Sequence, residues 1–178
     1  MDTNDGTPIE RRNGGDPAAF RACFGRFATG VAVASCRAEG SGPVAGNGTA
    51  ITVNSVASLS LDPPLALFCL EESSATMESF LRAGHFALNI LAEDQRAISD
   101  RYARDHRPAP GDFGAPWRSG APILEGALAV ADCVLHDVHG GGDHRILVGR
   151  VVETAWREGA RPLLYYRGGY GSMGDSAS

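Results

Sequence analysis

The run TAITVNSVASLSLDPP, residues 49–64, limits most tightly what this chain can fold into. In an extended backbone, alternate residues face opposite sides of a sheet. One side of this run reads Ile51, Val53, Ser55, Ala57, Leu59 and Leu61, and the other Thr52, Asn54, Val56, Ser58 and Ser60. The spacing predicts one long strand from Thr49 to Leu61, stopped by Asp62-Pro63-Pro64 because proline has no N–H to give a ladder. Further strands are expected at Thr29–Ser35, Leu65–Leu70, His85–Leu91, Ala127–Val138 and Ile146–Trp156, with a short last one ending at Arg167. Helices are expected to be short: Pro17–Phe27, a segment capped by Ser74 and ending near Gly84, and Asp94–Ala103. In the first, Phe20, Cys23, Phe24 and Phe27 recur at the spacing of one helical face. Strands follow strands with no strand–helix–strand rhythm, which argues against a doubly wound parallel sheet. The fold class expected is mainly β with some α, an antiparallel barrel.

Residues 17–170 read as one folded unit between a polar arm, 1–16, expected to be disordered, and a frayed tail, 171–178. A turn is expected at Gly40, Gly42 and Pro43, and a Pro/Gly-rich loop from Arg107 to Pro122 carries Phe113 and Trp117, placed either to cover a ligand or to pack on the barrel. The net charge is −5 and all 16 basic residues are arginine. An acidic balance argues against a phosphate-coating nucleic-acid binder, and the lack of lysine removes Schiff-base chemistry. No apolar run approaches the ~18 residues of a membrane span, and the N-terminus has no apolar signal core, so a cytoplasmic location is expected. Cys23, Cys36, Cys69 and Cys133 stand singly, as reduced thiols do.

Four stretches carry candidate chemistry. The small hydroxyl and amide side chains of residues 52–60 read either as a ligand-facing surface or as the solvated face of an amphipathic strand. Ser73, Ser74 and Thr76 stand where a helix begins, a position that suits a phosphate and also plain capping. Cys133, His136, His139 and His144 are metal-ligating types, but Cys133 and His136 face opposite sides of a strand and match no zinc spacing, so no metal site is assigned. The preferred reading is a hairpin with His139–Asp143 as its loop and His144 opening the return strand. Gly40-Ser41-Gly42-Pro43-Val44-Ala45 has the glycine spacing of a dinucleotide fingerprint, but Pro43 and Gly46-Asn47-Gly48 cannot open the helix that motif needs.

Taken in order, FRACFGRFATGVAV, TAITVNSVASLSLDPPLALFCLEESSAT, FALNILAEDQ, GAPILEGALAVADC, GGDHRILVGRVV and PLLYYRGGY closely resemble the short-chain flavin reductases, the reductase components of two-component flavin-dependent monooxygenases. The resemblance covers about Pro17 to Tyr170. It implies a split β-barrel of the FMN-binding type, Greek-key, with short flanking helices, assembled as a homodimer. It implies a flavin, FAD or FMN, lying along Thr52, Val53, Asn54, Ser55 and Ser58, with Cys69, Leu70, Ser73, Ser74 and Thr76 around its ribityl chain and phosphate. Gly142, Asp143, His144, Tyr166 and Tyr170 would take NADH. The implied reaction moves a hydride from nicotinamide C4 to flavin N5, with His144 orienting the nicotinamide, and reduced flavin then passes to a separate monooxygenase. The all-arginine usage fits a high-GC genome and, with it, a monooxygenase of secondary metabolism. NADPH is expected less, although Arg145 could meet its extra phosphate. Two other readings stay open: a tight flavin-binding electron carrier without reductase activity, and a metal module built on the Cys133–His144 cluster.

Overall fold

The computed structural model describes residues 9–37 and 48–174. The elements in chain order are α1 (Pro17–Phe24), β1 (Thr29–Gly30), β2 (Ala32–Arg37), β3 (Gly48–Val53), β4 (Ala57–Leu61), β5 (Pro64–Glu71), α2 (Met77–Ala83), β6 (His85–Ile90), α3 (Arg96–Tyr102), β7 (Ala129–Gly141), β8 (His144–Trp156), β9 (Leu164–Tyr166) and β10 (Gly169–Gly171). A 3₁₀ turn, Glu93–Gln95, leads into α3. The expected turn at Gly40–Pro43, the rejected fingerprint, residues 1–8 of the arm and 175–178 of the tail lie outside the described residues. Among the described residues no helix is long and apolar enough to cross a membrane.

Seven strands form one antiparallel sheet in the order β3-β2-β6-β7-β8-β5-β4. Its two edge strands, β3 and β4, are consecutive in the chain and joined by Asn54, Ser55 and Val56 alone. Laid flat, six strand spacings would hold the edges ~29 Å apart. The four residue steps from Val53 to Ala57 reach at most ~14 Å. The sheet must therefore curl until its edges nearly meet, which makes a barrel split at residues 54–56. A second, three-stranded sheet, β1-β9-β10, lies outside the barrel.

The expected single strand from Thr49 to Leu61 is thus two strands, and the alternation read across it does not survive. The break at 54–56 and a bulge between Ser58 and Ser60 reset the phase. Leu59 is 51% and Leu61 95% exposed, although the alternation groups them on the mostly apolar side with Ile51 and Val53. The expected loop His139–Asp143 is also shorter: β7 continues through Gly141, which pairs with His144, leaving a two-residue turn of Gly142 and Asp143. Gly142 takes the positive φ of 75° that such a turn requires. β10 enters what was read as the tail, because the Arg167-Gly168 turn folds Gly169–Gly171 back onto β9.

The barrel interior is filled by Phe68, Phe80 and Phe86, edge to face at 5.4 and 5.0 Å, with Cys36, Leu70, Leu88, Cys133 and Leu147. A second core lies on the opposite side of β2 and β6, around Val33, Leu91, Tyr102 and Leu163. The loop 107–122 closes that core. Phe113 and Trp117 pack there, with the Phe113 ring 5.7 Å from Tyr102. Three fully buried polar side chains hold the loop and the residues just after it to the barrel. Ser35 Oγ donates to the Pro122 carbonyl at 2.7 Å, Asn89 Oδ1 accepts from Leu124 N–H at 2.9 Å, and Asp132 accepts from Ser119 N–H at 2.8 Å and from its hydroxyl. Each meets its partners, as burial of polar groups demands.

Candidate active site

The split in the barrel is where the site forms. Asn54, Ser55 and Val56 belong to neither strand ladder. Ser55 makes good the break: its hydroxyl donates to the Cys69 carbonyl at 3.1 Å and accepts from the Cys69 N–H at 3.0 Å. One side chain so does for β5 what a strand neighbour would do. Asn54 on one side of it is exposed, and Ser58 beyond it is exposed as well.

Beside Asn54 opens a cleft of about 210 Å³, lined by Val31, Thr52, Val53, Asn54, Ser99, Ala103, Tyr165 and Tyr170. Its walls are apolar and aromatic, with the Thr52 and Ser99 hydroxyls and the Asn54 amide among them. That mixture suits a planar ring carrying a few polar atoms at its edge. Thr52 Oγ1 donates to the Ser99 carbonyl at 2.7 Å, and the Ser99 hydroxyl and the Tyr170 phenol are 2.9 Å apart. The Tyr165 and Tyr170 rings meet edge to face at 5.5 Å, and the Arg96 guanidinium lies 5.1 Å from the Tyr170 centroid.

A second group of the expected residues gathers along the far end of β5. Glu71 pairs with His144 across the β5–β8 ladder, and Glu72 N–H donates to the Asp143 carbonyl at 2.9 Å. The Gly142–His144 turn therefore sits against Glu71 and Glu72, the residues just before Ser73. His144 Nδ1 lies 2.8 Å from Asp143 Oδ1, and this contact, first as a hydrogen bond and then as charge, holds the Asp143 carboxyl below the usual carboxylate range. Arg145, the candidate for an extra phosphate, is paired with Glu72: its Nε and Nη2 both donate to Glu72 Oε1, at 3.0 and 2.6 Å. Cys69 lies two residues along β5 from Glu71, a rise of ~7 Å, so β5 forms a track from Ser55 to the hairpin.

Not every expected residue offers its side chain to this track. Leu70 is 3% exposed and faces the barrel core, so only its backbone is available. Ser74 does not cap α2, whose N-cap is Thr76. Its hydroxyl instead accepts from Thr76 N–H at 3.3 Å and lies 2.9 Å from Thr76 Oγ1, because the helix starts only at Met77. Ser73 donates to Glu71 Oε1 at 2.6 Å. Tyr166 is exposed and outside the cleft, while its neighbour Tyr165 lines it, since adjacent strand residues face opposite sides. Tyr165, Ser99, Ala103 and Val31 were not singled out from the sequence. The sole signal for Ser99 was a small polar residue on the inner face of a helix beside Ile98 and Tyr102. Cys133 is buried in the core while His136 and His139 are exposed, and among the described residues no group of three ligating side chains could hold a metal ion.

A profile of the Flavin reductase like domain matches residues 24–174. The chain belongs to the flavin reductase-like family. It is 41% identical over 160 residues to a flavin-dependent monooxygenase reductase subunit, HsaB, of Rhodococcus jostii (strain RHA1), covering 87% of this chain and 77% of that protein. It is 43% identical over 160 residues to a probable flavin reductase of Rhizobium meliloti (strain 1021), where 87% of this chain matches about half, 48%, of the relative's length. Among solved structures, the NADH:FAD oxidoreductase SgcE6 of Streptomyces globisporus C-1027, in complex with NAD and FAD fragments, superimposes with a TM-score of 0.86 at 27% identity, covering 96% of this chain and all of the other. The cleft fits a flavin on the chain's own terms: apolar walls for the ring faces, and Thr52, Asn54 and the ladder-free backbone of 54–56 for its polar edge.

Proposed function

We propose that this protein is an NADH:flavin oxidoreductase that reduces FAD or FMN and supplies the reduced flavin to a separate two-component monooxygenase. The observation that carries the reading is the cleft at the barrel split, where a ring-sized apolar space meets polar groups that no strand uses. Membership of the family supports it. In this reading Thr52, Val53, Asn54 and the backbone beside Ser55 hold the ring, and Ser73 and Ser74 stand toward the phosphate end, with the Thr76 side chain buried behind Ser74 and so not itself exposed to a ligand. Gly142, Asp143 and His144, with Tyr170 from the other side, orient the nicotinamide. When both are bound, the nicotinamide supplies a hydride and the flavin accepts it. The chain's own part is alignment and exclusion of water, which require no side-chain nucleophile.

His144 is the one imidazole on this track, and its bond to Asp143 sets the ring's orientation. Glu72 occupies Arg145 and adds carboxylate charge beside the turn, which favours NADH over a dinucleotide with a further phosphate. Phe20, Phe24 and Phe27 are 54, 62 and 74% exposed on or just after α1, an apolar face that a second copy of the chain would cover. This supports the homodimer, and a cytoplasmic location fits the same reading.

Aerobic NADH oxidation by the purified protein, with and without added FAD, FMN or riboflavin, tests the reading. Saturable stimulation by a flavin is the expected result. Purification of a yellow protein that ignores added flavin would favour an electron carrier, and no NADH consumption with any flavin would overturn the proposal.

A further inference from the structure

We propose that Ser99 is a positioning residue of the cleft, holding two of its walls through two different atoms. The inference rests on the cleft being the flavin reductase site. Ser99 sits in the middle of α3 and is fully buried. Its carbonyl accepts two hydrogen bonds, the ordinary helical one from Ala103 N–H at 3.1 Å and one from Thr52 Oγ1 at 2.7 Å. A hydroxyl has one proton to give. With that proton committed to Ser99, Thr52 turns only lone pairs toward the cleft. At this end of the cleft Thr52 can therefore only accept a hydrogen bond from a ligand, and Asn54 is the lining side chain beside it that can donate one.

The hydroxyl of Ser99 acts on the other wall. A serine inside a helix commonly bonds back to a carbonyl one turn earlier. Here it leaves its helix and meets the Tyr170 phenol, 71 residues away, at 2.9 Å. Tyr170 lies on β10, the outer strand of a three-stranded sheet whose members are two or three residues long. Such short ladders hold a side chain weakly, and the hydrogen bond to a buried helical residue fixes it. Ser99 thus ties α3 to β3 on one side and to β10 on the other, and both tied residues line the cleft.

The two functions separate in the test. Ser99→Ala keeps the carbonyl and its bond to Thr52 and removes only the link to Tyr170. Tyr170→Phe removes the same link from the other end, leaving Ser99 free to bond within its own helix. Each variant is expected to raise the KM for flavin or NADH by about 3- to 10-fold with a smaller change in kcat, as loss of one net hydrogen bond predicts. The double variant should be no worse than either single one. In the ligand-free protein, amide hydrogen exchange at residues 164–171 should quicken in both variants while β7 and β8 keep their protection. Unchanged exchange in that hairpin, unchanged KM for both substrates in an active enzyme, or multiplying effects in the double variant would each overturn the proposal. A wild-type protein that oxidises no NADH with any flavin would overturn the functional reading alone, and the exchange measurement would still decide whether the link exists.

Discussion

Ser55→Ala separates a structural hydroxyl from a ligand-binding one. In the wild-type chain this hydroxyl makes two hydrogen bonds to the Cys69 backbone, at 3.1 and 3.0 Å, across the gap where β3 and β4 part. Each is worth ~0.5–1.5 kcal/mol net, so losing both costs ~1–3 kcal/mol. Ser55 and Cys69 are only half-buried, and water can replace part of what is lost. The lower half of the range, about 1–2 kcal/mol, is therefore expected. For a domain of this size ~1 kcal/mol moves Tm by ~2–4 °C, which gives a fall of about 2–8 °C. The assay is a thermal melt of the flavin-free protein, since bound ligand would mask the change, paired with the flavin KM. Tm should fall, and the KM should rise because residues 54–56 lose their anchor. An unchanged Tm with a raised KM would refute the reasoning and return the hydroxyl to the ligand, as the family resemblance implies.

Gly149→Ala should destabilise the barrel by about 1–3 kcal/mol, because its Cβ would overlap Phe86 Cζ and lie 2.7 Å from the Cys133 Cβ. Gly149 is paired with Ala66 and Leu135 on its two sides and has little room to shift, so a urea midpoint equal to wild type would refute this. Burial pushes the Cys36 and Cys133 thiols up to about 12, so a thiol reagent at neutral pH should label exposed Cys23 promptly and those two only in denaturant. The same shifts set a pH dependence. Between the ordinary thiol value of 9.0 and about 12 the unfolded chain releases protons that the folded chain keeps, so stability falls as pH rises through that interval. Tyr102, also raised to about 12, adds to the fall. An urea midpoint that is flat from pH 8 to 11 would contradict it. His144→Ala should raise the KM for NADH about 5- to 30-fold, the value of a hydrogen bond of ~1–2 kcal/mol, with flavin affinity kept; unchanged NADH kinetics would remove His144 from the nicotinamide site.

Much of the fold was legible because short-range rules govern it. The antiparallel strands after residue 28, the stop at Asp62-Pro63-Pro64 and the hairpin before His144 each follow from neighbours in sequence. The ordered motifs place the chain in its family, and Thr52, Asn54 and Tyr170, named from the sequence, line the cleft. What failed was extrapolation of period 2 through Asn54–Val56. Nothing local marks that break, which exists because the seven-stranded sheet closes there and its two edges must be joined by three residues. The same closure turned Ser55 inward to Cys69 and left Leu59 and Leu61 exposed. The sequence by itself determined which residues extend, where they turn and which polar types lie near the cleft. Only the tertiary structure decided that Tyr165 rather than Tyr166 faces it, that Arg145 is engaged by Glu72, and that Ser99 joins Thr52 to Tyr170. Those are contacts between residues 47 and 73 positions apart or nearly so, and no local preference encodes a distance that only chain closure brings within reach of a hydrogen bond.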